Sequence, residues 1–196
     1  MHVGTITQLQ IQQSSLKVGE GRDRHYDPAP IRVVRQLSLD PGGVVGWDDQ
    51  GDRILDVHHA EHPMSKNRDG DNGISIGFVS HYDLMRSRVG EHLANGLAGE
   101  NILVETDRTF TSDNLPERLR IERANGEVVE LVNIRAAEPC VEFTRFAMRY
   151  PANERPDASV TETLEFLRFG MRGYYATYLG APVTVETGDQ VRAFRE

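Results

Sequence analysis

Cysteine is nearly absent from this chain: Cys140 is the only one among 196 residues. A single thiol excludes an internal disulfide, a multi-cysteine zinc site and a set of iron–sulfur ligands. Positive charge is also in short supply. The 22 Lys and Arg against 30 Asp and Glu leave a formal net charge of −8. No basic run interrupts that average, so neither nucleic acid nor an anionic membrane surface is an expected partner. No apolar stretch approaches the roughly 18 residues that would suggest a membrane span. The opening MHVGTITQLQ has no basic segment followed by an apolar one, so it does not read as a signal peptide. A Gly-rich dinucleotide fingerprint is missing too, as are internal repeats, low-complexity tracts and a clear linker. These absences predict a cytoplasmic single domain over residues 1–196, long enough for one sizeable core.

What is present reads mainly as β. In TITQLQI, strict alternation would put Ile6, Gln8 and Gln10 on one face and Thr5, Thr7, Leu9 and Ile11 on the other. IRVVRQLSL (31–39) is β-branched and stops at the turn signal DPGG. DRILDV, GISIGFV, ENILVE, EVVELVNI and DQVRAF repeat the pattern. Asn125-Gly126 between RLRIERA and EVVELV predicts a hairpin with a type I′ turn. Two helices are expected: one capped by Ser80 and Asp83, and one capped by Ser159 and Glu162 with Val160, Leu164, Leu167 and Met171 at helical spacing. Many short strands with Gly-rich turns predict a closed or nearly closed β-barrel with a few peripheral helices.

Four groups of residues carry candidate chemistry. DVHHAEH places His58, His59, Glu61 and His62 close together, a zinc-like composition. The strand-like approach and Pro63 argue against the helix that would align His58 with His62, and the spacing is not that of H-E-x-x-H. Solvated loop histidines are the plainer reading, and a ligand-facing His58 or His59 lies between. In AGENILVE, Gly99 permits an unusual backbone angle, and Glu100 and Asn101 precede an apolar strand. In RAAEPCVEF, Pro139 fixes its own φ and drives Glu138 extended, so Cys140 sits on a stiff approach. Arg135 and Arg145 would favour its thiolate and Glu138 and Glu142 would oppose it. A lone cysteine is also often a small buried hydrophobe. Last, Tyr174, Tyr175 and Tyr178 read as strand packing rather than as a stacking platform.

In this order the pieces resemble the MOSC domain family, named after the C-terminal part of molybdenum cofactor sulfurases. The residues that carry the resemblance are Gly51, Asp52, Asp56, His58 and His59, then Gly99-Glu100-Asn101, then Pro139-Cys140, then Gly173-Tyr174 and Gly188-Asp189, over residues 33–194. The resemblance implies a stand-alone barrel related to the barrel domain of pyruvate kinase. It also implies a molybdenum cofactor (molybdopterin) or a persulfide on Cys140, with Cys140 as the catalytic residue and the molybdenum ligand. His58, His59, Glu100, Asn101, Arg135 and Arg172 are the candidate cofactor-binding residues. A soft thiolate suits both roles, and an anionic pterin phosphate needs Arg, His or backbone N–H groups. If the chain is a complete enzyme, the resemblance implies molybdenum-dependent reduction of N-hydroxylated compounds, with sulfur or electrons from an outside donor protein.

The chain departs from the family pattern at two basic positions. HHAEHPMSKNRDGDNGISIG replaces the Gly-Gly and Asp-Lys-Ala that follow the histidines, and Ala137 stands where many members have Arg. These departures suit a different or smaller ligand. The rival readings are a non-catalytic module that binds a small anion or a protein, with Cys140 buried and inert, and a metal hydrolase built on the histidine cluster.

Overall fold

The computed structural model describes residues 1–194 other than 49 and 116. Its strands are β1 (His2–Gln12), β2 (Lys17–Val18), β3 (His25–Tyr26), β4 (Ile31–Val34), β5 (Gln36–Asp40), β6 (Gly43–Trp47), β7 (Arg53–Leu55), β8 (Ile74–Phe78), β9 (Ile102–Glu105), β10 (Leu119–Glu122), β11 (Val128–Ala136), β12 (Tyr174–Thr177), β13 (Val183–Glu186) and β14 (Gln190–Ala193). The α-helices are α1 (Val79–Val89), α2 (Val141–Met148) and α3 (Ala158–Phe166).

Among the described residues, seven strands close into a barrel in the order β14-β10-β11-β12-β8-β9-β1, with β1 returning to β14. Closure removes the unpaired edges that an open sheet would expose. Only the β8–β9 pair is parallel. Two parallel neighbours need a crossover, and here α1 and the segment carrying Gly99-Glu100-Asn101 provide it. β4 hangs on the outside of β1, and a second sheet, β13-β5-β6-β7, packs its Leu37, Leu39, Val44 and Val185 into the same core as the barrel.

β1 departs from strict alternation. Its register shifts between Ile6 and Gln8, so Ile6, Leu9 and Ile11 all enter the barrel core. A bulge inserts one extra residue and so changes which face each later side chain meets. IRVVRQLSL does not form one strand: it breaks at Arg35 into β4, which pairs with β1, and β5, which pairs with β13 and β6. The Asn125-Gly126 hairpin exists, but only Gly126 has positive φ. Arg123 and Glu127 close a three-residue loop in which the Gly126 N–H donates to the Arg123 carbonyl. That is a type I turn followed by a left-handed glycine, not a type I′ turn.

The helices form a second layer. Tyr82 and Met85 of α1, Phe143 and Ala147 of α2, and Leu167 after α3 make a separate apolar cluster with Leu103 of β9. Ile102 and Val104 of the same strand point into the barrel, so β9 is buried on both faces and reads as a continuous apolar run. The cap of α3 is Asp157, whose side chain accepts from the Val160 N–H, and Ser159 lies inside the helix. Phe78 occupies the cap position of α1 without a side-chain bond, and Ser80 donates instead to the Arg108 carbonyl. No helix among the described residues is long and apolar enough to cross a membrane.

Candidate functional site

A cleft of about 280 Å³ opens where the segments that end β1 and β11 meet those that begin β9 and β12. Cys140, His58, Glu100 and Arg172 all line it. The Ala137 N–H donates to the Gly173 carbonyl, which ties the end of β11 to the start of β12. The chain then runs extended through Pro139, and Cys140 becomes the cap residue of α2, at φ −123° and ψ 153°. Its carbonyl accepts from both the N–H and the hydroxyl of Thr144. Cys140 is half-buried and its thiol is free. α2 is anchored by the fully buried Phe143, which stacks edge-on against Tyr26.

Opposite Cys140, a buried polar network holds His58. Asp56 is fully buried and accepts from four groups: the N–H of Gln12 (2.7 Å), the Asn101 amide (2.8 Å), and the N–H and Nδ1 of His58 (2.9 Å each). A carboxylate only accepts, so Nδ1 of His58 carries the hydrogen of this bond and the ring is held in a fixed orientation. The ring lies 6.4 Å from that of Tyr175. Asn101 does not line the cleft. Its Oδ1 accepts from the N–H and hydroxyl of Ser75, and its amide holds Asp56, so it supports His58 from behind.

Glu100 is 4% exposed, and its Oε2 accepts from the Tyr82 hydroxyl at 2.8 Å. Burial pushes its carboxyl above the usual carboxylate range, against the opposing pull of the Tyr82 hydroxyl, its own N–H and Arg172. Gly99 sits at φ +90°, where a Cβ would lie 2.7 Å from Gln12 and Leu16. Gly173 sits at φ +127°, where a Cβ would lie 2.9 Å from the Ile76 carbonyl. The positive φ favours glycine at both positions, and at Gly173 the close Ile76 backbone also leaves no room for a Cβ.

Arg172 donates to the Ala98 carbonyl and lies over the Phe143 ring, 5.5 Å from its centre. Its Nε is buried without a partner. Burial works against its charge, but Tyr175, Tyr26, Cys140 and Glu100 outweigh that and hold it above the ordinary range. Three further cations that sequence reasoning passed over line the cleft: Lys17, Arg24 and Lys66. Lys17 and Arg24 pair with Glu142 at 3.8 and 3.1 Å, whereas Lys66 is exposed and forms no ion pair or hydrogen bond among the described residues. Lys66 lies within the segment that departs from the family pattern, and Lys17 and Arg24 come from the β2–β3 hairpin, which carried no signal in the sequence. The cleft is therefore rich in cations despite the two replaced positions.

The remaining candidates point elsewhere. His59 is buried with Nε2 at 3.0 Å from Asp40, and its Nδ1 accepts from the Glu61 N–H. It staples the loop to the β5–β6 turn. Arg135 bonds Asn72 and lines another depression with Asp71 and Glu117. His62 accepts from the Met64 N–H. Among the described residues, no three His, Cys, Asp or Glu side chains converge as a metal site.

No curated protein matches the chain. The solved structure of the YUAD protein from Bacillus subtilis superposes with a TM-score of 0.58 at 16% identity, covering 98% of this chain and 97% of that one. A protein described as hypothetical superposes with a TM-score of 0.55 at 11% identity, covering 100% of this chain and 70% of that one. At such identities the two structures speak to the fold alone. The MOSC domain family model matches residues 58–192, more than half of the sequence and the span that carries His58, Glu100, Cys140 and Arg172. The chain belongs to the MOSC domain family.

Proposed function

We propose that the cleft binds a molybdenum–pterin cofactor, with the Cys140 sulfur as the ligand that the chain gives to the metal. The observation that carries this reading is the convergence of one free thiol, an Asp56-held His58, buried Glu100 and Arg172 on a single cleft. The residues fit such a group chemically. Cys140 offers a soft donor to a sulfur-coordinated metal. The buried Nε of Arg172 and the Lys66 ammonium, both without a partner among the described residues, are suited to an anion.

Bound there, the cofactor would supply two-electron redox chemistry, for which an N-hydroxylated compound is a suitable acceptor. The chain's own groups do the rest. Arg172 and Lys66 balance negative charge, His58 presents a ring oriented by Asp56 to the cleft, and Glu100 holds a proton more readily than an ordinary carboxyl. Electrons come from an outside donor.

A second reading is sulfur carriage, favoured by the small volume of the cleft, at the lower edge of small-molecule sites. The Cys140 thiolate attacks the outer sulfur of a donor persulfide. The donor's S–S bond breaks, the donor leaves as a thiolate, and Cys140 keeps the sulfur with its hydrogen.

Alkylation of Cys140 in the folded protein tests both readings. Fast labelling of the ligand-free chain is expected, slowed when cofactor is bound; when Cys140 carries a persulfide the label goes onto the outer sulfur and is released by a reducing agent. A thiol inert in the folded state would overturn both and leave a binding module with a structural cysteine.

A further inference from the structure

A second cavity of about 450 Å³ lies on the other side of Tyr26, against the far end of α2. Its walls are aromatic: Tyr26, Phe146 and Tyr150. Its charge is set by Arg145 and Arg149, one turn apart, and neither forms an ion pair among the described residues. Arg145 is held in place by the carbonyls of Ala152 and Glu154, which fix the guanidinium without neutralising it, and its Nε is buried without a partner. Arg149 is exposed and, among the described residues, makes no hydrogen bond beyond its backbone. The one carboxylate on the wall, Glu142, is already paired with Lys17 and Arg24. His92 is tied through Nε2 to the Ala147 carbonyl.

Two guanidinium groups with no carboxylate partner among the described residues, beside Phe146 and Tyr150 and backed by the buried Tyr26 that packs on Phe146 at 5.2 Å, are unusual in a chain with a net charge of −8. Arg145 ties the loop after α2 in place, but the fold does not ask for an arginine at 149, where a C-cap in the left-handed region would be easier for Gly or Asn. Flat aromatic walls recognise a ring by stacking, and an unpaired Arg recognises an anionic substituent. We propose that this cavity is a second ligand site, separate from the Cys140 cleft, for a planar aromatic compound that carries one carboxylate or similar anionic group.

The probe is 2-naphthoate, titrated into the full chain and followed by its fluorescence. Naphthalene-2-methanol supplies the ring without the charge, and inorganic phosphate the charge without the ring. One saturable naphthoate site is expected, at least about tenfold tighter than either control, as one charge-assisted hydrogen bond implies. Arg149→Gln should weaken naphthoate about tenfold while keeping the wild-type melting temperature. Ala152→Trp fills the cavity without touching a charge and should abolish binding. Cys140→Ser and Lys66→Ala should leave it unchanged. No saturable binding, equal binding of the alcohol, or insensitivity to both cavity variants would overturn the proposal. So would loss of binding in Lys66→Ala, which would put the ring in the other cleft.

Discussion

Asp56 shows how much of this site is set by residues that never touch a ligand. It accepts four hydrogen bonds at full burial, and two of them fix His58. Asp56→Ala would leave several buried donors unsatisfied, at about 1–3 kcal/mol each. Urea unfolding should show a loss of about 3 kcal/mol or more, and the His58 ring should lose its fixed orientation in an NMR titration. An unchanged midpoint would contradict the network. Glu100 gives a signed pH effect. Its folded carboxyl lies above the ordinary range, so its stability contribution is present at acid pH and fades as pH climbs through the raised value. Glu100→Gln keeps the contact with Tyr82 and should flatten that decline in urea midpoints measured between about pH 4 and pH 8.

Much of this was legible at the level of single residues. Cys140, His58 and Glu100 follow from the motif order, and Arg172 enters only as an available cation; all four line one cleft. Lys17, Arg24 and Lys66 do not follow from that order, because the strands bring them in from turns that have no pattern of their own. The reverse holds for His59 and Arg135, whose types suit an anion but whose neighbours, Asp40 and Asn72, engage them outside the cleft.

Among the helices, α2 is the one that the sequence concealed. It is eight residues long, and Pro139 next to its cap reads as extended chain. Yet Pro just ahead of an apolar spacing such as Val141, Phe143, Phe146 and Ala147 is compatible with a helix start. Capping was misplaced for a similar reason: Ser159 and Asp157 are both good caps, and the backbone chose Asp157. Asp157→Ala should therefore lower the melting temperature, and Ser159→Ala should do so much less. α1 carries a buried sensor of acid. His81 is held near 4, below its ordinary 6.5, chiefly by burial, and its Nε2 accepts from the Phe110 N–H. The unfolded chain therefore takes up the proton first. Stability is whole above pH 6.5 and falls toward pH 4, by about 3 kcal/mol at most. His81→Gln should remove that acid-side loss, and an unaltered acid limb would contradict it.

At the scale of the molecule, the barrel closes through its two ends: β1 pairs with β14, and the Met1 amine donates to the Ala193 carbonyl. Removing the residues from 190 onward would open β1 and β10 together. That truncation should be insoluble or unfolded by circular dichroism, since two exposed edges replace a closed ladder. The same closure draws Gln12, Glu100, Cys140 and Arg172, distant in sequence, to one mouth. Barrel class was readable from strand count and turns. The bulge in β1 and the split at Arg35 were not, because both are decided by partner strands.

That this mouth holds a molybdenum–pterin group through Cys140 is our proposal. It is tested by metal and pterin content per chain after expression in a host that makes the cofactor. Molybdenum and the fluorescent oxidised pterin should co-purify with the wild-type chain, fall in Arg172→Gln and vanish in Cys140→Ser. Absence of both from the wild type, or equal amounts in Cys140→Ser, would contradict it.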